Sequence, residues 1–171
     1  MLSSYRVIEL SDEPTTFCGY LFGLLGAEVT CIEPPEGSVV RSIPPFSGQS
    51  GESLWWHAYA RGKTKIRLDL QKDSDLKQLH QLVSEADFFV ESLSAQSASE
   101  MKLNHDSLEE VNPEIISVSV TPFGRNGPKA DWPATDLTVW AASGAQALAG
   151  DSDRAPVRTS VPQTYMHAGA D

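Results

Sequence analysis

The sequence predicts an α/β fold, a parallel sheet covered by helices. Two observations predict it. Segments of strand character alternate with segments of helical period in the order βαβ, loop, βαβαβ, loop, α, the pattern of parallel strands joined by crossover helices. The composition suits one globular core, with 171 residues of which 40% are hydrophobic and 21% charged, well away from disorder.

Tyr5 to Leu10 reads as the first strand. Ser11 and Asp12 are good helix caps and Pro14 fits an early helical position. Phe17, Leu21, Leu24 and Leu25 then recur at helical spacing, and Gly26 suits a helix end. Glu28 to Ile32 is the second strand, closed by the turn Pro34-Pro35-Glu36-Gly37. Residues 38–52, rich in Ser, Pro and Gly, read as an ordered loop because Trp55 and Trp56 follow at once and need burial. Lys65 to Leu70 alternates with period two and predicts a third strand. Asp73 or Ser74 caps a helix with Leu76, Leu79, Leu82 and Val83 on one face. Asp87 to Glu91 is the fourth strand, Ser107 to Val111 a short helix capped by Asp106, and Ile115 to Val120 the fifth strand. A Gly/Pro-rich loop from Pro122 to Pro133 leads into a helix over Asp136 to about Leu148. Trp132 and Trp140 are expected to pack against the sheet, with a place in a substrate pocket as the alternative. Tyr165 to Ala170 looks like the opening of a further helix. We therefore expect residues 1–171 to be the amino-terminal part of a larger domain, incomplete at the carboxyl end, with apolar surface left uncovered.

A net charge of −10 argues against nucleic acid and anionic membrane as partners, since both reward clustered Lys and Arg. The longest apolar stretch, Phe17 to Ala27, is interrupted by three glycines and a tyrosine and falls short of the roughly 18 residues a membrane span needs. The start, Met1-Leu2-Ser3-Ser4-Tyr5-Arg6, lacks a secretory leader's pattern. Cys18 and Cys31 lie at no metal-ligand spacing, and His57, His80, His105 and His167 have no partner at such spacing. The expectation is therefore a cytoplasmic protein with two structural thiols and no metal site. No GxGxxG, GxxxxGK[ST] or GxSxG motif occurs. The loop after the first strand, Ser11 to Thr16, has no glycine and carries two carboxylates that would repel a pyrophosphate.

Further motifs resemble class III CoA-transferases, the group of formyl-CoA transferase, carnitine CoA-transferase and alpha-methylacyl-CoA racemase. Leu24-Leu25-Gly26-Ala27-Glu28-Val29 with Ile32-Glu33-Pro34-Pro35-Glu36-Gly37 resembles their "LGAEV…EPP.G" opening. Arg61-Gly62-Lys63 with Leu68-Asp69-Leu70 resembles "RGK…LDL", and Glu85-Ala86-Asp87 with Phe89-Val90-Glu91 resembles "EADVFVEN". Asn112-Pro113 with Phe123-Gly124 and Gly127-Pro128, then Asp136-Leu137, Ser143-Gly144, Pro156-Val157-Arg158 and Val161-Pro162, continue the match in order across the chain. The resemblance implies a Rossmann-like sheet with helices on both faces. It also implies coenzyme A and a carboxylic acid as substrates, and a homodimer in full-length members. It further implies an aspartate nucleophile that attacks the acyl-CoA thioester and passes through an anhydride to an aspartyl-CoA thioester.

Several positions depart from that pattern. Tyr165 occupies the family aspartate position, so no catalytic residue is expected in this chain. Pro34 stands where relatives often carry a basic residue, and Glu100 falls where they place an arginine. Thr135 replaces the histidine of the racemase branch. The expected CoA contacts are Lys63, Arg61 and Arg41, with weak binding. The losses fit the half of a paired or tandem transferase that lacks the nucleophile, with an aspartate-bearing subunit as partner. A non-catalytic scaffold and a small-ligand domain without CoA are the rival readings.

Overall fold

The computed structural model describes residues 1–48 and 50–171. Five strands, β1 (Arg6–Leu10), β2 (Glu28–Glu33), β3 (Thr64–Arg67), β4 (Phe88–Glu91) and β5 (Ile116–Ser119), make one sheet in the order β3-β2-β1-β4-β5. Every pairing is parallel, with Val7 to Glu9 of β1 set between Val29 to Cys31 of β2 and Phe88 to Val90 of β4. Five helices lie between the strands, α1 (Glu13–Leu24), α2 (Leu54–Tyr59), α3 (Asp73–Val83), α4 (Ala95–Glu100) and α5 (His105–Val111), and two follow β5, α6 (Asp136–Ala142) and α7 (Thr164–Ala168).

Both sheet faces are covered, which is why the central strands read as nearly continuous apolar runs. On one face Ile8, Leu10, Ile32 and Phe89 pack with Leu79 and Val83 of α3 and Leu108 of α5. On the other, Val7, Val29 and Val90 pack with Cys18 and Phe22 of α1. A third cluster joins Cys31, Val40 and Trp56, which gives Trp56 the burial its sequence context demanded. Within the ordered 38–52 loop, Gln49 lies outside the described residues. Among those described, no helix is long and apolar enough to cross a membrane.

The structure departs from the sequence expectations at several elements. Helix α1 begins as expected, with Asp12 accepting from the Glu13 amide at 2.8 Å and Thr15 returning the bond to the Asp12 amide. Its buried face, however, is Pro14, Thr15, Thr16 and Gly19, while Leu24 and Leu25 are exposed. The space under the helix holds the Glu9 and Lys63 side chains, and a Cβ on Gly19 would lie 1.7 Å from the Glu9 carboxylate. Strand β3 ends at Arg67, short of Leu70. Helix α3 starts after Lys72, with no side-chain cap. Helix α4 has no apolar period to announce it, yet forms because Ser94 caps it through the Ser97 amide at 3.1 Å and Ala98 is buried. The helix expected over Asp136 to Leu148 stops at Ala142. Gly144 turns left-handed at φ +85°, and a short 3-10 turn over Ala145–Leu148 follows. Beyond Val120 the only buried residue is Gly169. Trp132 is exposed, and Trp140 is half-buried against His167. Neither meets the sheet, because no element covers this part of the chain. Leu137, Leu148, Val157 and Val161 are exposed as well, in line with the expected uncovered apolar surface.

Candidate functional site

Strand β1 lies between β2 and β4, so the connections after β1 and β4 leave the sheet in opposite directions and open a crevice at the carboxyl ends of the strands. A cleft of about 580 Å³ occupies that place, lined among others by Ser11, Asp12, Glu33, Asp69 and Ser92. Asp12 serves two masters there: one carboxylate oxygen caps α1, and the other accepts from Ser92 Oγ at 2.6 Å, bridging the loops after β1 and β4. Glu36 adds a further carboxylate, and none of the residues lining the cleft is a cation. Such a lining accepts hydrogen bonds well and repels phosphate.

The expected cations are placed as follows. The Lys63 ammonium is buried, 2.7 Å from a Glu9 carboxylate oxygen and 2.8 Å from the Thr16 carbonyl oxygen. It ties α1 to β1 and faces no solvent, so the expectation that it contacts phosphate is corrected. Arg61 is exposed, stacked over the Tyr20 ring and donating to its hydroxyl. It precedes β3 and so stands at the strand's amino end, while the cleft opens at the carboxyl ends. Arg41 does not line the cleft but holds Glu33, which does. Its Nε and Nη2 grip the two Glu33 oxygens at 2.6 and 2.8 Å, and its guanidinium stacks 4.1 Å over Trp56. Burial pushes the Glu33 carboxyl up, but the Arg41 bonds, with the Ser38 amide, hold it below the usual range. Glu100 is exposed on α4, takes a hydrogen bond from Gln96 at 2.8 Å, and is not among the cleft residues.

Tyr165 stands near the cleft on α7. The Asp136 carboxylate accepts from the Thr164 and Tyr165 amides at 2.8 and 3.2 Å and so holds the start of that helix beside α6. Gly169 lets α7 lie against α1, since a Cβ there would come within 3.0 Å of the Pro14 carbonyl. Tyr165, Asp12, Glu13 and Ser92 line a small cavity of about 190 Å³. Burial, then the charges of Glu13, Asp136 and Asp12, raise the Tyr165 phenol above its ordinary value. Glu13 is raised too, by burial first and by Asp136 and Asp12 second. The phenol therefore stays protonated, and a protonated phenol is a poor nucleophile.

Ser92, which stands where the family pattern "EADVFVEN" ends in asparagine, closes the crevice floor through Asp12; a second feature had no sequence signal. Arg125 pairs with the buried Glu91 at 2.6 Å beside a second cavity, and its Gly/Pro-rich setting disguised it as a loop residue.

Residues 2–170 match the family model for CoA-transferase family III. The chain belongs to this family. It is 36% identical over 171 residues to the succinyl-CoA:(R)-benzylsuccinate CoA-transferase subunit BbsE of Thauera aromatica, covering 98% of this chain and 42% of that protein. It is 32% identical over 175 residues to the succinate–glutarate CoA-transferase of Agrobacterium fabrum, covering 98% and 44%. Among solved structures, a CAIB/BAIF family protein from Brucella suis superposes with a TM-score of 0.91 at 30% identity, covering 98% of this chain and 46% of that one. Rv3272 of Mycobacterium tuberculosis superposes at 0.85 and 25% identity, with 99% and 48% covered. The family III chain described here thus spans less than half the length of these relatives.

Proposed function

We propose that this chain is the amino-terminal part of a family III transferase that moves coenzyme A between an acyl-CoA and a carboxylic acid, and that it supplies binding surface and no nucleophile. The observation that carries the reading is the junction of the switch-point cleft with the small cavity of Tyr165. The two share Asp12 and Ser92, so a ligand lying along the strand ends reaches the position that the family resemblance gives to the aspartate. The relatives named above act on succinyl, glutarate and benzylsuccinate groups, and short dicarboxylic acids are the substrate class we assign. BbsE is named as a subunit, which favours an aspartate-bearing partner chain. A reducing cytoplasm is the compartment the proposal assumes, because Cys18 and Cys31 are both free.

In this reading the nucleoside of CoA lies in the cleft, where Asp12 and Asp69 accept from ribose hydroxyls and the adenine amino group. The phosphates lie outside, near Arg41, because the cleft itself is acidic. Arg61 is too far along β3 to join them, and Lys63 contributes only by holding α1 in place.

The test combines binding with trapping. CoA titrated calorimetrically into the protein should bind, and Ser92→Trp, which fills the junction, should abolish the heat while leaving the far-ultraviolet spectrum intact. Incubation with acyl-CoA followed by hydroxylamine or borohydride should leave no adduct on this chain, and transfer should appear only with an aspartate-bearing partner. A CoA adduct on the wild-type chain that Tyr165→Phe removes would overturn the assignment of a nucleophile-free half. CoA binding untouched by Ser92→Trp would overturn the placement.

A further inference from the structure

A second cavity, of about 400 Å³, opens between the loops that follow β4 and β5. Ser92 belongs to it as well as to the cleft and to the cavity of Tyr165, and Pro122 joins it to the latter. The three spaces therefore run on from one another along the strand ends, with Tyr165 between the cleft and the second cavity.

The second cavity has one cation among its lining residues, Arg125, and one acid, Asp131. Arg125 Nη2 donates to Glu91 Oε1 at 2.6 Å and to the Leu93 carbonyl oxygen at 3.2 Å. Glu91 is filled from its other sides by Ser119 Oγ and by the Leu93 amide, the latter at 2.6 Å. The guanidinium is thus anchored by one nitrogen. Its Nε is buried with no partner, and no hydrogen bond from Nη1 occurs among the described residues. Buried donors without partners are rare in folded chains and ask for a ligand or water. Thr121 also lines the cavity, and its hydroxyl bonds nothing among the described residues. The Trp132 ring supplies an apolar wall, stacked edge-on to Phe123 at 6.2 Å.

We propose that Arg125, with Thr121 beside it, receives the far carboxylate of a short dicarboxylic acid whose near carboxylate lies toward Tyr165. The inference rests on the CoA-transfer reading and names the residue that selects its acid substrate. The charge balance favours a carboxylate over a phosphate. Glu91 already neutralises Arg125 and Asp131 adds a negative charge, while the other nearby cation, Lys129, lies 5.2 Å over the Trp132 ring and does not line the cavity, so a single delocalised negative charge fits better than a phosphate dianion. The methylene groups between the two carboxylates would lie on Trp132.

The experiment titrates succinate, butyrate and inorganic phosphate into the wild-type protein and two variants, following amide shifts by NMR, with CoA titrated in parallel. Arg125→Lys keeps a cation for Glu91 but loses the fork, and Thr121→Val leaves the Glu91 pair untouched, so at least one variant folds. Succinate should bind on the order of tenfold tighter than butyrate, the size of one charge-assisted pair at a partly exposed site. Arg125→Lys should erase most of that margin and Thr121→Val about threefold of it, one lost neutral hydrogen bond, while CoA affinity stays put in both. Equal binding of succinate and butyrate, or a margin indifferent to both variants, overturns the inference, and CoA binding then shows that the wider reading survives. Phosphate binding tighter than succinate makes the cavity a phosphate subsite and also overturns it. Arg125-dependent succinate binding without any CoA binding supports the carboxylate site and removes the CoA reading instead.

Discussion

Glu9 on β1 and Glu33 on β2 are both buried glutamates, each with one cation, and they titrate in opposite directions. Glu9 is enclosed under α1, with Lys63 touching one oxygen at 2.7 Å while the other oxygen has no partner. Burial outweighs the lysine, and the Glu9 carboxyl is raised. Glu33 is as thoroughly buried, but Arg41 grips both its oxygens, the Ser38 amide adds a bond at 3.0 Å, and the arginine reaches water. Glu33 is lowered. The difference teaches that a fork with access to solvent offsets desolvation where a single buried point charge does not. It also separates roles: the enclosed pair fixes where α1 sits, and the half-exposed pair leaves a guanidinium in contact with water behind Glu33, which lines the cleft. The Glu9 charge reaches further, helping burial push the Cys31 thiol up to about 12 and the Cys18 thiol to about 11, so neither is a reactive thiolate at neutral pH.

Four measurements break or sharpen the comparison. The largest effect is expected for Lys63→Met, which leaves Glu9 buried without a counter-charge and should cost about 3–5 kcal/mol. Its pH dependence follows from the sign of the Glu9 shift. A carboxyl raised in the folded state costs stability above its unfolded pKa, and that cost is relieved as pH falls through the folded value. Removing Lys63 raises Glu9 further, so the deficit against wild type should be greatest at pH 8 and shrink toward pH 5 in urea titrations. Adding Glu9→Gln should restore most of the loss at pH 8, and an equal deficit at both pH values would acquit Glu9.

Gly19→Ala comes next. Its Cβ would sit 1.7 Å from the Glu9 carboxylate, and overpacking of this kind costs about 1–3 kcal/mol. In a Glu9→Ala background the same substitution should be nearly neutral, and a double-mutant cycle without coupling would show that the crowding lies elsewhere.

Arg41→Lys keeps the charge and loses the fork, and at this half-exposed pair about 1 kcal/mol is expected. Here the sign is the other way. Glu33 is lowered, so its pair stabilises above the unfolded carboxylate pKa and the contribution is lost as pH falls through the folded value. Thermal melts of variant and wild type should therefore differ at pH 7 and converge in acid. A constant difference would remove Glu33 from the explanation.

The smallest effect is expected for Glu100→Arg. An exposed charge outside the cleft is screened by salt, and CoA affinity should change by no more than about twofold at physiological ionic strength. A larger gain would bring α4 back to the phosphates.

Period and turn chemistry made the strands legible. The five strands, the capping by Asp12 and the turn at Gly37 follow from local preferences that tertiary contacts did not need to overrule. Motif order identified the family, and the helical opening read over Tyr165 to Ala170 anticipated α7. The sequence misled where one residue's surroundings come from distant segments. Phe17, Leu21, Leu24 and Leu25 have the spacing of a buried face, but the side of α1 that meets the sheet is Thr15, Thr16 and Gly19 with Cys18 and Phe22, because Glu9 and Lys63, 54 positions apart, fill the space under Gly19. Lys63 and Arg61 read together as CoA contacts, yet the left-handed turn at Gly62 (φ +76°) separates them, with Lys63 turned inward onto Glu9 and Arg61 left in water over Tyr20. Glu100 and Trp132 lacked any local sign of what would stand beside them. Charge, in particular, is read from a sequence as a count, while its effect depends on desolvation and on which partner faces it. Those are set when strands far apart in the chain come to lie about 4.8 Å from one another.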